Sequence, residues 1–291
     1  IELENRLNLF FCSFLKWKNK FFESKKANVC IALSGGLDSS TLLAIGSDHY
    51  EFKSHTLELP GSLDSRLAAK IAKKCNSEIL SHKVSTQDII DSLQVAPLFC
   101  EDWRDFNVHC AALNLLLAKK IKEFSHVPTF VLTGDLMNEF LCDYKEEFYK
   151  GKNYYKLPRI NKKSLQRWLV KGLSTSSRED RVFGSQGLKV VQPYASFYDL
   201  YSNLSKEDLE LNSIKRECNL TYKTQWLDKM ISNTKLRAQI GSKESMGILG
   251  IAIDNKLTDH TFAQIIGDYC HEKVENVYKL IFGGAFRSLK I

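Results

Sequence analysis

"CIALSGGLDSSTLLAIG", Cys30 to Gly46, opens as an apolar strand, breaks at a glycine pair flanked by hydroxyls, and resumes as an apolar helix. Gly35 and Gly36 let the backbone turn tightly and bring bare N–H groups against a ligand, while Ser34, Ser39 and Ser40 add hydroxyl donors. The turn feeds a helix N-terminus, where unpaired N–H groups and the dipole favour an anion, and a phosphate fits. Asp38 does not suit a phosphate alone. A carboxylate there repels it unless a cation lies between, so Asp38 reads as a magnesium ligand. No lysine follows in a GxxxxGK[ST] frame and no GxGxxG is present, so neither the P-loop nor the dinucleotide fingerprint describes the turn. The competing reading is a plain strand-to-helix turn capped by Asp38 or Ser39.

Outward from this turn the pattern alternates. An amphipathic helix is expected over residues 2–24, "NVCIAL" leads into the turn, and Phe52 to Leu59 reads as a second strand. "SLDSRLAAKIAKKC" follows as a helix and "EILSHKVS" as a third strand. A long helix, "FNVHCAALNLLLAKKIKEF", then precedes "PTFVLTGD", a fourth apolar strand ending in another polar, glycine-containing turn. This succession implies an α/β fold, a parallel sheet with helices on both faces. Ligands of such sheets sit beyond the carboxyl ends of the strands, so the two turns should face one crevice. From about residue 145 the composition shifts to Lys, Tyr and Asn, and the remainder reads as mainly helical. The expected organisation is an N-terminal helix over 1–26 packed on one domain over 27–291. Within that domain, 27–145 is the nucleotide-binding core and 146–291 a mainly helical, substrate-side part.

The bulk properties set bounds. A chain of 291 residues, 44% of them hydrophobic, can bury a large core. The net charge of +7 is mild and spread, which permits an anionic ligand without demanding one. Only Tyr149 to Trp168 concentrates basic residues with interleaved aromatics, so nucleic acid is not the expected partner. The cysteines lack CxxC or zinc spacing, which points to reduced thiols, a cytoplasmic location and no zinc or iron–sulfur site. The longest apolar run near the N-terminus, Leu7 to Leu15, is too short to span a bilayer, so no membrane role is expected. The chain opens on Ile1 without a signal-peptide pattern, and it reads as neither a leader nor a native start. Cys110 and Cys142, close to the motif segments, are candidates for carrying sulfur or for simple burial. Tyr144, Tyr154 and Tyr155 are candidates for lining an acceptor pocket or for packing between lobes. His82 and His109 show no partner and read as satisfied core or surface histidines, and Glu101 to Trp103 reads as acid groups for the site or an exposed loop.

"SGGLDSS" resembles the pyrophosphate-binding loop of the PP-loop ATP pyrophosphatases, which split ATP to AMP and pyrophosphate. Within that superfamily two further stretches resemble the asparagine synthetases. "TGDLMNEFLCDY", Thr133 to Tyr144, is similar to their Ser-Gly-Glu-Gly-Ser-Asp-Glu-x-Phe-Gly-Gly-Tyr string. "REDRVFGSQGLKVVQPYASFYDL", Arg178 to Leu200, is similar to their Arg-x-Asp/Asn segment and the Gly-Leu/Val-Glu-x-Arg-x-Pro-Phe-Leu-Asp that follows. The resemblance runs from about residue 5 to residue 250. It implies ATP and magnesium, with Ser34, Gly35, Gly36, Asp38, Ser39 and Ser40 on the pyrophosphate and Asp38 on the metal. It also implies Leu33 and Leu57 beside the adenosine, Thr133 and Gly134 beside the ribose and adenine, and Asp135 in place of a glutamate near the reacting groups.

The departures carry information too. Asn138 stands where the family has a second magnesium-binding Asp, and Thr175 where it has an Asp near the substrate. Gln239, in "KLRAQIGSK", takes the place of a lysine that reaches the phosphates, leaving Lys235, Arg237 and Lys243 as candidate cations, with Lys235 favoured. These changes argue against simple aspartate amidation. The expected activity is adenylation of a small-molecule carboxylate followed by amide formation with ammonia or an amine, in small-molecule biosynthesis. A thiolating or tRNA-modifying enzyme and a catalytically weakened nucleotide-binding protein are the alternatives. Asparagine synthetases begin with a glutamine-hydrolysing domain headed by a nucleophilic cysteine, which this sequence lacks. Either a glutaminase is separate or removed, or the nitrogen arrives as ammonia or an amine; a homodimer is allowed.

Overall fold

The structure, a computed structural model, describes residues 2–22, 27–60, 62, 64–172, 175–211, 220–221, 223–231, 241–242 and 245–282. The strands are β1 (Asn28–Ala32), β2 (Lys53–Glu58), β3 (Glu78–Lys83), β4 (Thr129–Leu132), β5 (Glu147–Tyr149), β6 (Lys152–Tyr154) and β7 (Lys189–Val191), with a short pair β8 (Gly241–Ser242) and β9 (Ser245–Met246). Five of them form a wholly parallel sheet in the order β3-β2-β1-β4-β7. The chain therefore builds outward from β1 to one side and then returns to its other side. That places the topological switch between β1 and β4, where the connections diverge and a crevice opens at the carboxyl ends.

Period-two burial shows why these runs are strands. Val29 and Ile31 of β1, with Phe130 and Leu132 of β4, enter the core on one face, and Cys30 and Val131 enter it on the other. The first face is covered by α1 (Glu2–Phe22), α2 (Leu37–Gly46) and α3 (Asp64–Lys74). Phe14 of α1 meets Phe130 edge-on at 5.7 Å, and Phe11 packs against Phe52 at 5.9 Å. The opposite face is covered by α4 (Thr86–Cys100), α5 (Asp105–Glu123) and α8 (Thr175–Gly184), of which α5 and α8 touch the sheet core directly, while α6 (Met137–Leu141) buries Met137, Phe140 and Leu141 in the core of the first face and α7 (Lys162–Gly172) packs on α6. Short helices α9 (Tyr198–Ser202), α10 (Lys206–Glu210), α11 (Gln225–Ile231) and α12 (Ile248–Asp254) lead to the long α13 (Asp259–Phe282).

The α/β class and all four expected strands are present, and among the elements the structure adds, three lie on the sheet or beside the site. Helix α4 runs through Pro97, which removes a backbone donor near its end; Ser85 and Asp88 close a capping box at its start. The segment after residue 145, expected to be mainly helical, begins with the antiparallel β5–β6 hairpin. The third is β7, three residues long, at the sheet edge beside β4. Among the described residues no helix is long and apolar enough to cross a membrane.

Candidate active site

Leu33 continues β1 by donating its N–H to the carbonyl of His55 at 2.9 Å, and the chain then turns. Gly35 makes the turn with φ +72°, and a Cβ there would stand 3.0 Å from the carbonyl oxygen of Asp64 and 3.1 Å from the amide of Ala68. Both its handedness and its contact with α3 demand glycine. Gly36 caps α2 in an extended conformation without a side-chain bond, so the first turn of α2, with Asp38 in it, leaves N–H groups for an anion. Ser39 tightens the loop: its hydroxyl accepts from the Ser34 N–H at 3.3 Å and lies 3.2 Å from the Ser34 hydroxyl. Ser40 is buried one residue on, and its hydroxyl has no protein hydrogen bond.

The second turn lies directly against the first. A Cβ on Gly134 would stand 2.6 Å from the amide nitrogen of Ser39 and 3.0 Å from the carbonyl carbon of Asp38, so the absence of a side chain lets β4's turn seat on the N-terminus of α2. Tyr194, wholly buried, holds the same place from the other side by donating its hydroxyl to the Asp38 carbonyl at 3.0 Å. Thr133 donates its N–H to Val191 of β7 at 3.0 Å, and its buried hydroxyl, like that of Ser40, has no protein partner. Leu136 (φ 84°) and Cys142 (φ 53°) bracket α6 in the left-handed region. The family string has glycine at both places, so the chain keeps the backbone shape while side chains bear its strain.

Behind α6 sits a buried group of charges that sequence reasoning missed. Glu139, 2% exposed, accepts a 2.6 Å hydrogen bond from the Tyr144 hydroxyl, and burial raises its carboxyl above the ordinary range. Arg178 and Glu179 of α8 are also buried. The Arg178 Nε donates to Glu179 at 2.8 Å, its Nη1 donates to Asn107 at 2.9 Å, and Asn114 also donates to Glu179. Burial pushes Glu179 up to about 8 against the pull of Arg178, which stays charged. Asp135 is electrostatically coupled to Glu139, Arg178 and Glu179, so the second turn faces this group. Glu139 and Tyr144 also line a cavity of about 530 Å³ that reaches between α5, the β5–β6 hairpin, α7, α12 and the start of α13.

The structure thus brings the Ser34–Ser40 loop and the Thr133–Asp135 turn to one crevice, with Leu57 near the carboxyl end of the neighbouring β2. Asn138 falls in the first turn of α6. Lys235, Arg237, Gln239 and Lys243 lie outside the described residues, and Thr175 begins α8. Of the two histidines, His82 is a satisfied core residue as expected, and His109 needs correction. His82 is bonded to His55 across 2.9 Å, and His109 accepts or donates a 2.8 Å bond with Tyr155. The His109 ring is 1% exposed and its Nε2 has no partner, so it is not a satisfied core histidine. The signal that could have exposed Glu139 and Arg178 was their place inside the two motif strings, as acids and bases amid apolar neighbours. Cys142 is buried, and burial pushes its thiol up to about 11. All three candidate tyrosines line the cavity, and Glu101 to Trp103 forms an exposed bend in which Asp102 is tied to Arg104.

The family model described as asparagine synthase matches residues 24–237. No curated protein matches the sequence. Among solved structures, the NMN synthetase from Francisella tularensis is similar at 13% identity, over 79% of this chain and 96% of that one, with a TM-score of 0.33. The NAD+ synthetase from Burkholderia pseudomallei is similar at 13% identity, over 79% and 87%, with a TM-score of 0.31.

Proposed function

Because the chain belongs to the asparagine synthase family, we propose that it is an ATP-dependent carbon–nitrogen ligase that forms AMP and pyrophosphate while joining a small-molecule carboxylate to ammonia or an amine. The observation that carries the reading is the seat of Gly134 on the first turn of α2, which joins the phosphate-type loop to the acid-bearing turn of β4. The buried hydroxyls of Ser40 and Thr133, one in each loop and neither with a protein partner, are the donors and acceptors a nucleotide would satisfy.

In this reading the N–H groups of the loop and of the α2 N-terminus hold the β- and γ-phosphates, with the Ser34 and Ser39 hydroxyls beside them. The substrate carboxylate attacks the α-phosphorus, pyrophosphate leaves, and an acyl adenylate forms. The nitrogen of the amine attacks the acyl carbon, one proton passes to Glu139, and AMP leaves. Glu139 suits that task because a carboxyl raised by burial takes a proton near neutrality more readily than an ordinary one. The donor set on the abutting loops, the Asp38 carboxylate and the Asn138 amide oxygen, is all hard oxygen and fits magnesium. Bound there, the ion would neutralise charge on the phosphates. Lys235, Arg237 or Lys243 supplies the remaining cation, and the protein works in the cytoplasm without nucleic acid.

The test is release of labelled AMP and pyrophosphate across a panel of acids and amines. ADP and phosphate as products would overturn the reading, and no turnover with retained ATP binding would favour a weakened nucleotide-binding protein. Asp38→Asn should lower turnover by about 100-fold or more. The buried Cys142 thiol, bonded to the Lys162 carbonyl at 3.2 Å, disfavours a sulfur-carrying role at that position.

A further inference from the structure

The cavity behind α6 is far larger than ammonia requires. Its volume is about 530 Å³, against roughly 30 Å³ for a small hydride such as water in its liquid. Its walls are aromatic: Phe106 meets Tyr144 at 5.0 Å and Tyr155 at 5.6 Å, both edge to face. Its acids run from the buried end outward to the exposed Asp259, whereas its lysines all stand at the rim. Glu139 lies at the buried end, and Asp105 lies half-buried on the wall. The carboxylates of Asp105 and Asp259 are held by main-chain donors, Tyr155 N–H to Asp105 at 3.1 Å and Asp105 N–H to Asp259 at 2.8 Å. Burial and the neighbouring Asp105 raise Asp259, with Lys156 opposing. Lys145, Lys152 and Lys156 are exposed and stand at the rim, while Arg104 is engaged with Asp102. The rim continues into a second hollow of about 470 Å³ that shares Lys152 and Lys156 and adds Arg159. Within the cavity wall, the buried His109 Nε2 is left without a protein partner, an acceptor or donor that an occupant would satisfy.

We propose that this cavity takes the nitrogen nucleophile as a zwitterion, an amino-acid-like compound whose amine enters toward Glu139, whose apolar body lies among Phe106, Tyr144 and Tyr155, and whose acid group meets the rim lysines. The proposal rests on the ligase reading above, and it replaces "ammonia or an amine" with one class. An ammonium approaching aromatic faces and carboxylates is attracted by both, and an acid at the far end matches the outer cations. The ammonium releases one proton to solvent before the free amine attacks, and the second passes to Glu139 as the amide forms. A neutral or purely anionic amine donor would waste one end of this arrangement.

Binding to the full chain can be measured without turnover, by thermal shift and titration calorimetry, with ATP measured separately. The probes are the twenty amino acids, the decarboxylated amines of those that bind, their deaminated acids, and ammonium chloride. At least one bulky amino acid should bind, and removal of either its amine or its carboxylate should weaken it tenfold or more. Lys152→Glu and Lys156→Glu, both exposed and away from the core, should weaken the amino acid while leaving its decarboxylated amine unchanged. Asp105→Asn, on the half-buried wall, should weaken both. If no amino acid binds, or if the decarboxylated amine binds as well as the parent and ignores the lysine variants, the proposal is wrong. If ATP fails to bind while the zwitterion and variant pattern persist, the ligase reading fails and the pocket assignment stands.

Discussion

Two single positions give the sharpest tests of the proposed chemistry. At Gly134 an added methyl would lie 2.6 Å from a backbone nitrogen of α2, an atom that cannot yield without moving the first turn of that helix. Gly134→Ala should therefore cost about 1–3 kcal/mol of stability as an overpacked contact and weaken ATP on the order of tenfold. Calorimetry showing native ATP affinity in that variant would mean the two turns are independent. Glu139 is the second position. Its raised carboxyl must be ionised to accept a proton, so the rate of amide formation should rise with pH through a value above the ordinary carboxylate range. Glu139→Gln should lower that rate by about 100-fold, flatten the profile and leave ATP binding intact. A variant that keeps the wild-type pH profile would remove Glu139 from the reaction.

At the scale of elements a tight seam joins the loop after β1 to α3. Gly35→Ala would meet the Asp64 carbonyl at 3.0 Å and the Ala68 amide at 3.1 Å while forced to φ +72°. The expected loss is about 2 kcal/mol or more, read from the urea midpoint; an unchanged midpoint would mean that α3 floats free of the loop. The elements differed in how readily their sequences betrayed them. Strands β1 and β4 are buried on both faces and end at glycine turns, so they stand out as apolar runs. Helix α4 escaped notice because Pro97 interrupts a pattern that Ile89, Leu93 and Ala96 otherwise carry. The β5–β6 hairpin and β7 are only three residues per strand, too short for periodicity to register. In the site, the Ser34–Ser40 loop was legible because its residue types are dictated by backbone geometry. The Arg178–Glu179 pair and the open nitrogen of His109 were not, since burial of a charge or an imidazole depends on what packs over it.

Over the whole molecule, three buried histidines and the buried carboxyls of Glu139 and Glu179 pull the response to acid in opposite directions. Burial lowers His55 from 6.5 to about 4, with His82 and Lys53 adding to the effect, and lowers His109 to about 3. Burial lowers His82 as well. Each is neutral in the folded chain, so the unfolded chain takes up protons first. Their contribution is complete above pH 6.5 and is lost as pH falls toward 4, at up to about 1.4 kcal/mol per unit for each histidine that stays neutral. Glu179, raised to about 8, works with the opposite sign over the same range, so the histidines are read by difference. Between about pH 6.5 and pH 4.5 the urea midpoint of His109→Gln should fall less, or rise more, than that of the unaltered protein, and identical slopes would contradict a neutral, buried His109. The strand order has another consequence, in time rather than in energy. Strand β1 pairs early with β2, but its crevice side waits for β4, whose Thr129 joins Asn28 across roughly a hundred intervening residues. As the chain emerges from a ribosome, the loop after β1 exists long before the turn that closes over it, and one edge of β1 stays open to wrong pairings meanwhile. Competence to hold a nucleotide is thus acquired only after β4 and its turn have been made, well after the loop itself is complete.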